Sequence, residues 1–236
     1  MPYNTIGAIG SPLFAPGSNW SYTNTNYVIA GAILEGLTAD PFLAFSFRHR
    51  FFEKLNGADI FLLGPESVDL SRLATSWRGN GENQMNWSQL SFYSSYWTAG
   101  AIVSTASNIA DWMYLLLGTD DILNEPARAK MTNFRTIPNQ IPTADGVDKY
   151  VDGFIWNSYG LGLMRFLVTV PAQNKEVVLW GYWGATAGFN DLAAYIVDAD
   201  VTVMISVNRR GNEAEANCLK ILRDFTRHIL AFTNRQ

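Results

Sequence analysis

Two short segments carry the side chains whose types and spacing suggest chemistry. The first is Tyr22-Thr23-Asn24, set between the turn-forming pair Pro16-Gly17 and an apolar run from Tyr27 to Gly31. The segment sets a phenol two residues before a carboxamide. A plainer role is open to the same residues, with Asn24 as a helix N-cap behind an aromatic anchor. The second segment is Trp180-Gly181-Tyr182-Trp183-Gly184-Ala185-Thr186, followed by Ala187-Gly188-Phe189. It reads as an aromatic strand that ends at a glycine turn. The familiar constellations are missing. The two histidines, His49 and His228, fall in predicted helices, and neither has an HExxH-type partner, so no metal site is expected. No G-x-S-x-G elbow, G-x-G-x-x-G turn or Walker loop occurs, and no cofactor is expected. A Ser-His-Asp triad stays open, since spacing alone does not reveal one.

The elements that must position these residues can be read from periodicity. Residues 1–20 hold Gly7, Gly10, Pro12, Pro16 and Gly17 and read as loop. The spacing predicts a helix over 27–35, capped by Asn24 or Thr25 and ended near Gly36. A second helix should start at Asp40-Pro41, run to about Leu55 and stop at Asn56-Gly57. Residues 58–98 read as irregular. A third helix is expected from Ser107, with Ile109, Trp112, Met113 and Leu116 on one stripe up to Gly118. A short one is expected over 125–131. Strands are expected over 161–170, 176–183, 190–197 and 201–207, joined by connections short enough for antiparallel hairpins. A last helix over 212–233 carries Leu219, Leu222, Phe225, Ile229 and Leu230 on one face. Helices followed by an antiparallel sheet and a closing helix make an α+β fold. The chain reads as a single domain over 1–236, mostly helical or irregular over 1–150 and sheet plus helix over 151–236.

Composition sets limits on function. Of 236 residues, 48% are hydrophobic and 16% charged, which suits a packed core rather than disorder. A formal charge of −4 argues against a nucleic-acid partner. A lone cysteine, Cys218, excludes an intrachain disulfide and is read as a small buried apolar residue. The uncharged stretch 83–110 is too rich in Ser, Asn, Gln and Thr for a membrane span. The first residues lack the basic and apolar regions of a signal peptide.

Taken with their contexts, the two segments resemble the class C β-lactamase, D-Ala-D-Ala carboxypeptidase and family VIII esterase group of serine hydrolases. Tyr22-Thr23-Asn24 looks like its Tyr-x-Asn element. Gly184-Ala185-Thr186 with Gly188-Phe189 looks like the end of its Lys-Thr-Gly strand. Here Tyr182 stands where Lys or His is usual, and Trp183 where Thr is common. The stretches 99–106 and 159–163 resemble the group as well, and all four occur in its order. The resemblance implies a β-lactamase/transpeptidase-like fold and acyl transfer through a Ser-x-x-Lys serine, by hydrolysis of an ester, amide, β-lactam or D-amino-acid peptide. It implies Tyr22 as general acid/base and Asn24 as a holder of the substrate amide. The backbone N–H of Ala185 would be an oxyanion donor, and Tyr182, Trp183 and Gly184 would line the substrate site.

No serine in the chain is followed by Lys three positions on; Ser206 comes nearest, with Arg209. The expectation is therefore an N-terminally truncated hydrolase, without its first strands and nucleophile helix and inactive alone. The alternative is a non-catalytic remnant or pseudo-enzyme that binds without turnover. Expected partners are a small molecule or peptide, with self-association through an unpaired sheet edge. Members of the group are usually periplasmic or secreted; the sequence itself does not give the compartment.

Overall fold

A computed structural model describes residues 11–55, 59–63, 66–78, 83–84, 97–137, 154–186 and 188–233. The expected helix stop at Asn56-Gly57, the loop 1–10 and the proline-containing stretch 138–150 lie outside them. In chain order the regular elements are α1 (Asn24–Thr38), α2 (Ala44–Arg50), β1 (Ile60–Leu62), β2 (Trp77–Arg78), β3 (Asn83–Gln84), β4 (Ile102–Ser104), α3 (Ala106–Leu117), α4 (Glu125–Met131), β5 (Arg135–Thr136), β6 (Phe154–Tyr159), β7 (Met164–Val170), β8 (Lys175–Thr186), β9 (Phe189–Ile196), β10 (Val201–Val207), β11 (Arg209–Arg210) and α5 (Asn212–Thr233). They fall into two compact units, 1–74 with 86–108, and 75–85 with 109–236.

In the first unit, α1 buries Val28 and Gly31. A Cβ on Gly31 would collide with the Thr98 side chain, whose hydroxyl donates to the Tyr27 carbonyl at 2.8 Å. Glycine is therefore needed where the turn Trp97–Ala99 presses on the helix. The helix outruns its expected end at Gly36 and stops at Ala39, at φ 52. The single helix expected after Asp40 is broken, because Leu43 takes a left-handed φ of 57 while its side chain is buried. Burial of a large apolar side chain offsets such backbone strain. Leu43, not Asp40, is the cap residue of α2, although the Asp40 carboxylate accepts from the Ser46 N–H at 2.6 Å. Arg48 ties α2 to the β1–β4 pair: its guanidinium donates to Glu66 at 2.7 Å and to the Ile60 carbonyl at 2.8 Å.

In the second unit, six strands form a sheet in the order β10-β9-β8-β7-β6-β5, antiparallel throughout. The sequence indicated β7 to β10 and α5. It did not indicate β6, and the first expected strand starts at Met164 rather than 161, because 160–163 is a turn closed by Gly160 N–H to Leu163 O at 2.8 Å. Alternation sends Val177, Leu179, Leu192, Ala194 and Ile196 to one face, where they pack with Cys218, Leu219, Leu222 and Leu230 of α5. Ala193 and Tyr195 go to the other, against Met113, Leu116 and Leu117 of α3. Each buried valine, leucine or isoleucine among them contributes about 1.5–3 kcal/mol. Arg227 fastens α5 to the sheet by donating to the Thr169 carbonyl at 2.8 Å. The Cys218 thiol is fully buried and pushed up to about 11 by that burial, with Asp191 and Glu215 adding. α3 begins at Ala106, not Ser107, and Thr105 accepts from the Asn108 N–H at 3.2 Å.

Asp200, at the β9–β10 turn, accepts from Tyr195 at 2.8 Å and from Tyr114 of α3 at 3.4 Å. Burial first, then the bond to Asp200, pushes the Tyr195 phenol up to about 12. A pKa raised from about 10 favours the protonated form in the folded state. The contribution of Tyr195 to stability should therefore be whole below pH 10 and be lost as pH rises toward about 12. The urea midpoint should fall across that window in the native chain and fall less in Tyr195→Phe. Equal slopes for the two would count against this account.

Candidate active site

Each unit carries one group of the candidate residues. In the first, the chain reverses at a turn in which Ser18 N–H bonds to Ala15 O at 3.1 Å, with Gly17 at φ 77. The extended residues that follow deliver Tyr22 just ahead of α1. The helix cap is Thr23, whose hydroxyl accepts from the Thr25 N–H at 3.2 Å, and not Asn24 or Thr25. Asn24 is thus released from the capping role and is the first residue of α1. The Tyr22 phenol donates to its side-chain carbonyl at 2.8 Å, and the Tyr22 ring leans on Tyr27 with centroids 5.9 Å apart. Tyr22 is 42% exposed.

In the second unit the site residues lie at the end of β8. Thr186 pairs with Phe189 across the two-residue connection 187–188, and Gly188 has φ 95. A connection of this length closes on a hydrogen-bonded pair, and an antiparallel ladder alternates bonded with non-bonded pairs. Ala185 opposite Asn190 is then a non-bonded pair, so its N–H and C=O point away from β9. On that side β7 has already ended, since its first residue, Met164, pairs with Gly181. The strand end thus carries a backbone N–H aimed away from its own sheet, the requirement for an oxyanion donor. Ala185 is exposed, and a Cβ on Gly184 would meet no atom within 4 Å.

The two aromatic residues before Gly184 alternate along β8. Trp183 shares its parity with Val177 and Leu179, and both it and Tyr182 pack against the cluster that includes α5. The Tyr182 hydroxyl lies 3.4 Å from that of Tyr159, with the rings edge-on at 77°. Two further residues were not singled out from the sequence in this role. Asp191 stands directly opposite Gly184, and Ser206 stands opposite Asp191 on β10. The Ser206 hydroxyl donates to Asp191 Oδ1 at 2.5 Å. Burial raises the Asp191 carboxyl above the usual range, against the lowering effect of that hydrogen bond. The signal available in sequence was a carboxylate directly before the apolar run Leu192–Ile196. Among the described residues no cluster of three metal-ligating side chains occurs. No helix among them is long and apolar enough to cross a membrane.

An antiparallel sheet packed by a C-terminal helix, with a glycine-ended strand beside a hairpin turn, has the β-lactamase/transpeptidase-like architecture. The chain belongs to the Beta-lactamase family, whose profile matches residues 10–225. It is similar in fold to a D-amino acid amidase from Ochrobactrum anthropi SV3 (TM-score 0.72, 21% identity, 94% of this chain and 60% of that one). A D-stereospecific amidohydrolase from Streptomyces sp. compares at TM-score 0.70 and 23% identity, over 92% and 59% of the two chains. A penicillin binding protein from Bacillus halodurans compares at 0.59 and 13%, over 89% and 58%. The chain spans about three fifths of the length of these solved proteins.

The Tyr22–Asn24 bond is exposed, and exposed hydrogen bonds contribute little to stability. Tyr22→Phe should therefore leave the unfolding free energy within about 0.5 kcal/mol of the native value. A loss above about 1 kcal/mol in chemical denaturation would mark the residue as structural.

Proposed function

We propose that this chain carries the proton-handling and oxyanion-binding parts of a serine acyl hydrolase acting on esters or amides that bear no carboxylate. The observation that carries the reading is the end of β8, where the register leaves the Ala185 N–H aimed off the sheet next to an open Gly184. Tyr22 would pass the proton between nucleophile and leaving group, and Asn24 would hold the substrate amide while orienting the phenol. An oxyanion donor such as Ala185 contributes roughly 3–4 kcal/mol to the transition state. The amide-hydrolase names of two of the structural neighbours agree with this reaction class.

Charge at the strand argues for acyl groups without a carboxylate over penicillins. A carboxylate-bearing substrate is held best by a cation on the strand before Gly184. Tyr182 offers a neutral hydroxyl and Trp183 an indole, and neither is a cation. A hydrogen bond to a charged group contributes about 1.5–3 kcal/mol, a factor of roughly ten to a hundred. In a nucleophile-bearing relative given this strand end, Tyr182→Lys should shift kcat/KM toward benzylpenicillin, relative to a neutral ester, by about that factor. An unchanged ratio would refute the argument.

A second reading, binding without turnover, is favoured by one observation: these 236 residues contain no Ser-x-x-Lys. Either way, the chain alone should hydrolyse neither a chromogenic β-lactam nor a p-nitrophenyl ester above buffer. Turnover that survives purification and is abolished by a serine-directed acylating agent would overturn that expectation.

A further inference from the structure

Asp191 is a charge that the acyl-transfer reading leaves unused. It lies in the middle of a three-strand row, Gly184–Asp191–Ser206, with all three residues on one face of the sheet. On its β10 side it accepts from Ser206. On its β8 side the neighbour is a glycine over which a Cβ would find nothing within 4 Å. No Lys or Arg lies within ion-pair distance of Asp191 among the described residues. A partly buried carboxylate with a single hydroxyl partner and no cation is destabilising by its desolvation. Buried charges without a structural partner concentrate where a ligand supplies one.

We propose that Asp191 is the counter-ion for a cationic group of the substrate, an α-ammonium seated over Gly184. The substrates would then be amides or esters of amino acids that keep a free amino group. This rests on reading the β8 end as the acyl-binding strand. Side-chain positions opposite one another across an antiparallel pair are about 4.5–5.5 Å apart, so a cation over Gly184 is within ion-pair reach of Asp191. Gly184 is one residue from Ala185, about 3.3 Å along the strand. That spacing suits a cation one carbon from the carbonyl whose oxygen the Ala185 N–H receives, as in an α-amino acid derivative. A substrate carboxylate at the same place would meet Asp191 and be repelled. The raised Asp191 carboxyl agrees with a group that lacks its cation in the unliganded chain.

The test titrates the isotope-labelled full chain with phenylalanine amide, N-acetylphenylalanine amide and benzylpenicillin. NMR reads the Asp191 carboxyl carbon and the Ala185 amide. Phenylalanine amide should bind at least tenfold more tightly than its N-acetyl form and lower the titration midpoint of Asp191, and benzylpenicillin should bind most weakly. Asp191→Asn should bring the first two ligands to equal affinity, with Asp191→Ser as a second variant should the first fail to fold. The proposal is overturned by equal affinities in the native chain, by a preference that survives in the variants, or by no binding of phenylalanine amide. It is also overturned by an Asp191 carboxyl that titrates below the ordinary carboxylate range without ligand, since a cation of the chain would then already pair with it. A shift at Ala185 without discrimination at Asp191 removes the counter-ion role and leaves the acyl-transfer reading standing. Discrimination at Asp191 with Ala185 unmoved leaves a cation site and removes that reading.

Discussion

The register of β8 against β9 is the constraint from which the candidate site follows. Leu179 faces Ile196 at one end and Thr186 faces Phe189 at the other, and the two-residue turn allows no slack between them. A slip of one residue would turn every side chain of β8 to the opposite face. Leu179 and Val177, fully buried under α5, would then exchange places with Trp180 and Tyr182. Burial of the core thus holds the register, and the register aims the Ala185 amide and sets Asp191 across from a glycine.

The two faces of this sheet divide the work. The face under α5 is apolar along most of its length and anchors the helix, with Arg227 and Gln173 bonding between helix and sheet connections. The opposite face is apolar where α3 covers it, through Trp180, Ala193 and Tyr195, and turns polar toward the β8–β9 turn with Asp191 and Ser206. A carboxylate buried in the middle of the sheet would cost far more than one at the end of a strand, where solvent or a ligand can reach it. The placement keeps the cost bearable and puts the charge beside the open glycine.

In the first unit the same economy operates through backbone proximity. Gly31 lets the Trp97–Ala99 turn close on α1, and Thr98 bonds to the Tyr27 carbonyl. That contact holds the first turn of α1, and with it the Tyr22–Asn24 pair that precedes and opens the helix. Thr23 supplies the cap, and this frees the Asn24 side chain to receive the phenol.

The sequence by itself determined the elements with strong local periodicity. The last helix, the hairpin strands β8 to β10 and the α+β order were legible, because apolar alternation and turn residues specify them within a few residues of chain. The Tyr22-Thr23-Asn24 and Gly184-Ala185-Thr186 segments were legible too, as residue types in a recognisable order. Only the tertiary structure decided the rest. The break at Leu43 depends on burying its side chain, which no local pattern announces. Strand β6 has a bulge between Trp156 and Ser158 that spoils its alternation. The cap is Thr23 rather than Asn24, whose side chain accepts from the Tyr22 phenol instead. Asp191 stands out once three strands are aligned, since residues 184, 191 and 206 are brought side by side by pairing across the sheet and not by proximity along the chain.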